Sequence, residues 1–266
     1  MSHDADTRKI IAVADGLHVR QAVDNMAWID LGEYAVVVDA LEQPELEGEV
    51  LAAIARTLPD RQVRYVVNTH THYDHVALNA ALVQQFGAEV VDNSAGAVPA
   101  DGRWFEAEAP EGEAPKGRKL LMLPLPGCHT EEDCVVWVPG DKVLLVGDIF
   151  GWGLIPLERP LRTDTAKVLV DTYERLIAFD AATVVPGHGP LCSTAELKRW
   201  VVYFKWLIAE VGKASRQGLS DGEIMRQVAP PDDMKGWWRF LAWKHQDSLT
   251  KVLRAVRCGG LDDWTG

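Results

Sequence analysis

Three imidazoles and a carboxylate crowd into six consecutive positions, His70-Thr71-His72-Tyr73-Asp74-His75, directly behind the apolar run Val63, Tyr65, Val66 and Val67. The run reads as a strand, and packing gives no reason to gather polar rings where a buried strand ends, because burying them unpartnered costs free energy. A loop leaving a strand end can turn alternate side chains toward one point. His70 and His72, two apart, can then ligate one cation, while Asp74 and His75 point to a second position beside it. Imidazole with carboxylate suits zinc and other borderline divalent ions, whereas calcium or magnesium sites are nearly all oxygen.

Three more candidates stand at the same kind of place. His129 in Pro126-Gly127-Cys128-His129-Thr130, Asp148 in Gly147-Asp148, and His188 in Pro186-Gly187-His188-Gly189-Pro190 each follow a run of Val and Leu. In an α/β architecture the ends of neighbouring strands lie side by side, so residues far apart in sequence can meet there. His70, His72, Asp74, His75, His129, Asp148 and His188 would converge as metal ligands.

In order and spacing these four motifs resemble the metal motifs of the metallo-β-lactamase-fold hydrolases, from about residue 10 to 190. The resemblance implies an α/β fold, a four-layer αβ/βα sandwich of two mixed sheets with outer helices. It implies that His70, His72 and His129 hold one metal and Asp74, His75 and His188 the other, with Asp148 bridging and Asp39 orienting ligands. Two Zn2+ ions are the implied cofactors, with iron or manganese as alternatives. The implied reaction is attack by a hydroxide bridging the two metals on a small acyl compound, a lactone, ester or thioester. Asp74 would also be the catalytic residue, accepting a proton from the nucleophile and passing it to the leaving group.

The fold does not decide the substrate. A mononuclear iron sulfur-oxygenase, β-lactam hydrolysis and a non-catalytic binding protein remain rival readings. Common zinc β-lactamases carry cysteine at the position of Asp148, and electron-transfer flavodiiron members carry glutamate at that of His72. The Cys-His-Thr run resembles the glyoxalase II group, but the residues with which that group grips glutathione have no clear match. Arg159 and Arg162 could meet an anionic substrate; they also read as solvated loop arginines. Residues 150 to 157, with the long loop or flap read at 93 to 118, would wall a largely apolar pocket.

At 266 residues the chain divides into a catalytic core at 1–190 and a helical, Trp-rich C-terminal extension at 191–266, packed on the same domain. A net charge of -12 offers no basic face to a polyanion, so nucleic acid is not an expected partner and a small molecule is. The charged start Met1 to Asp6 lacks the pattern of a signal peptide and no stretch reaches membrane-span length, so a cytoplasmic protein without a membrane partner is expected. Cys128, Cys134, Cys192 and Cys258 read as free thiols.

Periodicity predicts antiparallel strands over residues 10 to 38 and a helix from Val50 to Leu58. A strand at 63 to 67, a helix from Val76 to Phe86 and a strand near Glu89 to Val91 follow. Strands at 120–125, 135–138 and 143–146, a helix at 164–178 and a strand at 183–185 come next. Helices are then expected around 197–211, at 220–228 with a cap, and from about Trp238 to Arg257. Trp200, Trp206, Trp237, Trp238 and Trp243 suggest core or a subunit interface, which makes a homodimer plausible.

Overall fold

Within the strand Val143–Gly147, Val143 and Leu145 enter one apolar core while Leu144 and Val146 enter another. A strand apolar on both faces must lie between two covering layers. The computed structural model, which describes residues 9–41, 44–107 and 117–266, shows what those layers are.

The first sheet runs in the order β1 (Lys9–Ala14), β2 (Leu17–Gln21), β3 (Met26–Asp30), β4 (Ala35–Val38), β5 (Val63–Val67) and β6 (Glu89–Val90). Its first four strands are antiparallel neighbours, and β5 and β6 are added in parallel. The second sheet contains β7 (Arg103–Phe105), β8 (Leu120–Pro124), β9 (Cys134–Val138), β10 (Val143–Gly147) and β11 (Thr183–Pro186), with β11 at one edge and parallel to β10. Both sheets are therefore mixed. Val19, Ile29 and Val36 of one meet Met122, Val136 and Leu145 of the other in the central core.

Helices α1 (Glu47–Thr57), α2 (Tyr73–Val76) and α3 (Asn79–Phe86) lie in the first half of the chain. Val50 and Ile54 of α1 and Leu82 of α3 cover Trp28 and Val37 on the outer face of the first sheet. The second half carries α4 (Thr163–Ala178), α5 (Thr194–Arg216), α6 (Asp221–Gln227) and α7 (His245–Arg257). Leu169 of α4, Trp200 of α5 and Val252 of α7 share a core with Leu144 and Val184. The result is the αβ/βα sandwich. Ser193 caps α5 by accepting from Ala195 N at 3.2 Å, with Glu196 returning to Ser193 N at 2.9 Å, a contact type that contributes about 1 kcal/mol.

Three local expectations change. The helix read from Val76 to Phe86 is split, because Leu78 N–H bonds Ala40 O at 2.8 Å and so ties the break to the loop after β4. The loop read at 93–118 contains β7, whose Phe105 fills the central core with Val98; its residues 108–116 lie outside the described residues, as does the N-terminal stretch 1–8. The final helix begins with a π-turn at Phe240–Lys244, after Arg239 in the left-handed region at φ 49°. That turn presses the Phe240 ring onto Gly153, where a Cβ would fall 2.2 Å from it. Among the described residues, no helix is long and apolar enough to cross a membrane.

Candidate metal centre

The C-terminal ends of β4, β5, β8, β10 and β11 deliver Asp39, the His70–His75 loop, His129, Asp148 and His188 to one place. Backbone geometry at two glycines permits it. A Cβ on Gly187 would lie 2.1 Å from Asp148 Oδ1, and one on Gly147, at φ 50°, would lie 2.4 Å from Thr69 Oγ1, so only glycine lets the chain pass.

All seven candidate ligands gather, in two groups: His70, His72 and His129, and Asp74, His75, Asp148 and His188, with the ligand atoms of each group within 4.8 Å of one another. In the first group, His70 Nε2 and His129 Nε2 lie 3.1 and 3.0 Å from His72 Nδ1. The opposite ring nitrogens are held from behind. Thr69 Oγ1 lies 3.2 Å from His70 Nδ1, Pro156 O accepts from His129 Nδ1 at 2.8 Å, and Glu158 Oε1 lies 3.1 Å from His72 Nε2. With those outer nitrogens protonated, three lone pairs point at a common centre, the donor set a borderline divalent ion takes.

In the second group, His188 Nε2 lies 3.2 Å from Asp74 Oδ2 and 3.1 Å from Asp148 Oδ2. The same Asp148 Oδ2 stands 3.7 Å from His129 Nε2, which links the two groups through one oxygen. His75 Nε2 and Asp148 Oδ1 are 3.3 Å apart, both buried and both without a hydrogen-bond partner. Leaving such atoms unbonded is costly, and a cation between them would satisfy both. The residues present therefore fit a pair of metal ions on chemical grounds.

Asp39 underlies the cluster. It adopts the left-handed conformation, φ 61°, which aspartate tolerates better than most residues, and its carboxylate accepts from Thr69 N at 2.8 Å while lying 3.1 Å from His75 Nδ1. Asp133, buried in the loop after His129, accepts from His129 N at 2.6 Å and Thr130 N at 2.9 Å and sets that loop's shape.

Electrostatics separate the groups. Burial, helped by His75, pushes the His70 imidazole down to about 3. Burial also acts to lower His75 and His188, but carboxylates outweigh it: Asp39 and Asp148 raise His75 to about 10, and Asp148, Asp24 and Asp74 raise His188 to about 12. The hydrogen bond from His188 is the main reason Asp74 is drawn down to about 2. Burial acts to raise Asp148, yet His188 and His75 hold it well below the usual carboxylate range.

Sequence reasoning passed over Asp24 and Glu158. Asp24 is buried and its Oδ1 lies 3.2 Å from His188 Nδ1, which also meets Val23 O at 2.9 Å. An acid set within the buried stretch from Leu17 to Ile29 was the available signal. Nothing local marks Glu158. The apolar wall expected at 150–157 is also different: Phe150, Ile155 and Leu157 are buried in the helical core. The backbone there is pinned by Lys244 Nζ on Gly151 O (2.8 Å), Ser248 Oγ on Gly153 O (3.0 Å), Trp200 Nε1 on Leu154 O (2.8 Å) and Lys251 Nζ on Ile155 O (2.8 Å). The C-terminal helices thus fix the loop that follows Asp148.

The family model described as Metallo-beta-lactamase superfamily matches residues 23–188. Hydroxyacylglutathione hydrolase of Rhodobacter capsulatus is 31% identical over 174 residues, 62% of this chain and 62% of that protein. Rubredoxin-oxygen oxidoreductase of Megalodesulfovibrio gigas is 25% identical over 154 residues, 55% of this chain and 37% of that one. The chain thus spans less than two thirds of either relative. Among solved structures, the sec-alkylsulfatase Pisa1 from Pseudomonas sp. shares the fold with a TM-score of 0.65 at 16% identity, covering 98% of this chain and 52% of that one.

Proposed function

The chain belongs to the metallo-beta-lactamase superfamily, and from that premise we propose that it is a hydrolase with two divalent ions, zinc in the first instance, that cleaves a small lactone, ester or thioester. The observation that carries the reading is Asp148 Oδ2, placed 3.1 Å from His188 Nε2 and 3.7 Å from His129 Nε2, within reach of both groups at once. His70, His72 and His129 would hold one ion and Asp74, His75 and His188 the other, with Asp148 shared. Such a pair would supply water acidified enough to attack at neutral pH and would polarise the substrate oxygen.

The side chains do the rest. Asp74, ionised because His188 draws its proton affinity down to about 2, is half-open to solvent and can accept a proton at its carboxylate and deliver it to a leaving oxygen or sulfur. Glu158, Pro156, Asp24 and Asp39 each hold the outer nitrogen of an imidazole and fix its ring plane, so no serine or cysteine nucleophile is called for. Elemental analysis of the purified chain, followed by a screen of lactones, esters, thioesters, phosphodiesters and a β-lactam, tests the proposal. About two ions per chain with turnover of an acyl compound supports it. A second reading, redox chemistry, draws on the similarity to the Megalodesulfovibrio gigas protein named an oxidoreductase, and His and Asp donors accept iron as well as zinc. One iron per chain without hydrolysis of any acyl compound would replace the first reading with it.

A further inference from the structure

A cavity of about 440 Å³ opens between the segment Leu157–Arg162 and the last turns of α7. Its lining carries four cationic side chains, Arg159, Arg162, Lys251 and Arg254, against the single carboxylate of Glu158. In a chain of net charge -12 this is a local reversal of sign, and a concave low-dielectric surface focuses such a field.

The four cations are not equally engaged. Arg159 donates from Nη2 to Gly127 O at 2.7 Å and meets Glu131 at 3.1 Å, while its Nε is buried without a partner. Lys251 is divided between Ile155 O at 2.8 Å and Asp247 at 3.3 Å. Arg162 and Arg254 make no ion pair among the described residues. Helix dipoles explain only half of this pair. Arg254 sits in the last turn of α7, where a cation is favourable, but Arg162 immediately precedes the first turn of α4, where a cation is not. The carbonyls of Arg254, Ala255 and Val256 are already taken by the N–H groups of Cys258, Gly260 and Gly259, so these last carbonyls of α7 are engaged by backbone.

One stretch of chain joins this cavity to the metal ligands. Pro156 O holds His129, Glu158 holds His72, and Leu157 to Arg162 form the cavity wall. We propose that the cavity binds the oxyanion of a carboxylate or phosphate group carried by the substrate, at the end remote from the bond that is cleaved. Arginine forks match either group in two-point geometry, and the volume is that of a small-molecule subsite. The identity of the ligand as a substrate rests on the hydrolase reading; the binding of the anion does not.

The test uses the full, metal-loaded chain. Arginines are labelled with phenylglyoxal, alone and with glutarate or inorganic phosphate, and the labelled positions are read by peptide mass spectrometry. Either anion should slow labelling of Arg162 and Arg254 severalfold and leave the exposed Arg56 and Arg175 unchanged. Protection by only one anion assigns the carboxylate or the phosphate as the recognised group. In parallel, the double variant Arg162→Gln/Arg254→Gln should raise the KM ratio of an acid-bearing ester to its neutral isostere roughly tenfold, the size of one lost charge-assisted contact. Turnover of both esters with no protection by either anion and an unchanged ratio overturns the proposal and leaves the hydrolase reading standing. Protection without turnover of either ester keeps the anion site and removes the hydrolase reading.

Discussion

Glu158 Oε1 stands 3.1 Å from His72 Nε2, on the opposite side of the imidazole from the Nδ1 that meets His70 and His129. A carboxylate there holds the proton on Nε2 and leaves the Nδ1 lone pair for a metal, so its loss should be felt in affinity rather than in folding. Glu158→Gln is expected to weaken the ion at His70, His72 and His129 by roughly tenfold, the low end for such partners, because the Glu158 side chain is 55% exposed and screened by water. Competition against a chelating dye measures it. Unchanged affinity in the variant removes Glu158 from the centre.

Asp74 reaches both His188, at 3.2 Å, and solvent, and its side chain is the more exposed of the two carboxylates on that imidazole, 27% against 18% for Asp148. Asp74→Asn preserves size and a hydrogen-bond acceptor but cannot carry a proton. Turnover should fall by roughly a hundredfold or more, with the thermal midpoint within a few degrees of the parent. Equal kcat in the two proteins would show that the proton travels another way.

Metal removal should expose the charge balance of the second group. With His75 raised to about 10 and His188 to about 12, the metal-free fold holds protons that the unfolded chain, near 6.5, has released. The folded state then binds more protons than the unfolded one above pH 6.5, so the stability these histidines contribute declines as pH rises from there toward 10. The chelated chain should therefore melt lower at pH 9 than at pH 7, and reloading with zinc should release protons, since ligation needs neutral imidazoles. Calorimetric titration in two buffers of different ionisation enthalpy reads the release. Identical heats in both buffers would contradict it.

The seven candidate ligands were legible because each lies in a segment that leaves a strand after an apolar run, so recognising strands sufficed to gather them. The layers came from the family resemblance instead: the run Val143 to Val146 is apolar at every position, which marks a strand covered on both faces but does not say which residues cover each face. Glu158 and Lys251 were not legible, because their roles depend on how the loop after Asp148 meets helices contributed by residues nearly a hundred positions later. The 93–118 stretch misled for a different reason. β7 is only three residues long, Arg103–Phe105, and two of them are apolar, too few for a pattern to register; it becomes a strand by pairing with β8. The same physics redirects Phe150 and Ile155, whose sequence context suits a pocket wall as well as it suits the helical core that buries them.

Lys244 supplies a test of that core. It is only 2% exposed, its Nζ donates to Gly151 O at 2.8 Å, and it lies 4.4 Å from the centre of the Trp238 ring. Burial, with Arg239 adding to it, lowers the ammonium to about 7 from the 10.5 of a free lysine. Between those values the unfolded chain holds a proton that the folded chain has lost, so stability rises with pH across the window and the cost of burying Lys244 is complete below pH 7. Lys244→Met keeps the volume and removes the charge, at the loss of one hydrogen bond. The variant should melt several degrees above the parent at pH 6, with the advantage shrinking steadily toward pH 9 as the parent's amine becomes neutral in the fold. A difference in midpoint that stays constant from pH 6 to pH 9 would mean that Lys244 keeps its proton in the folded chain, paired to an acceptor beyond Gly151.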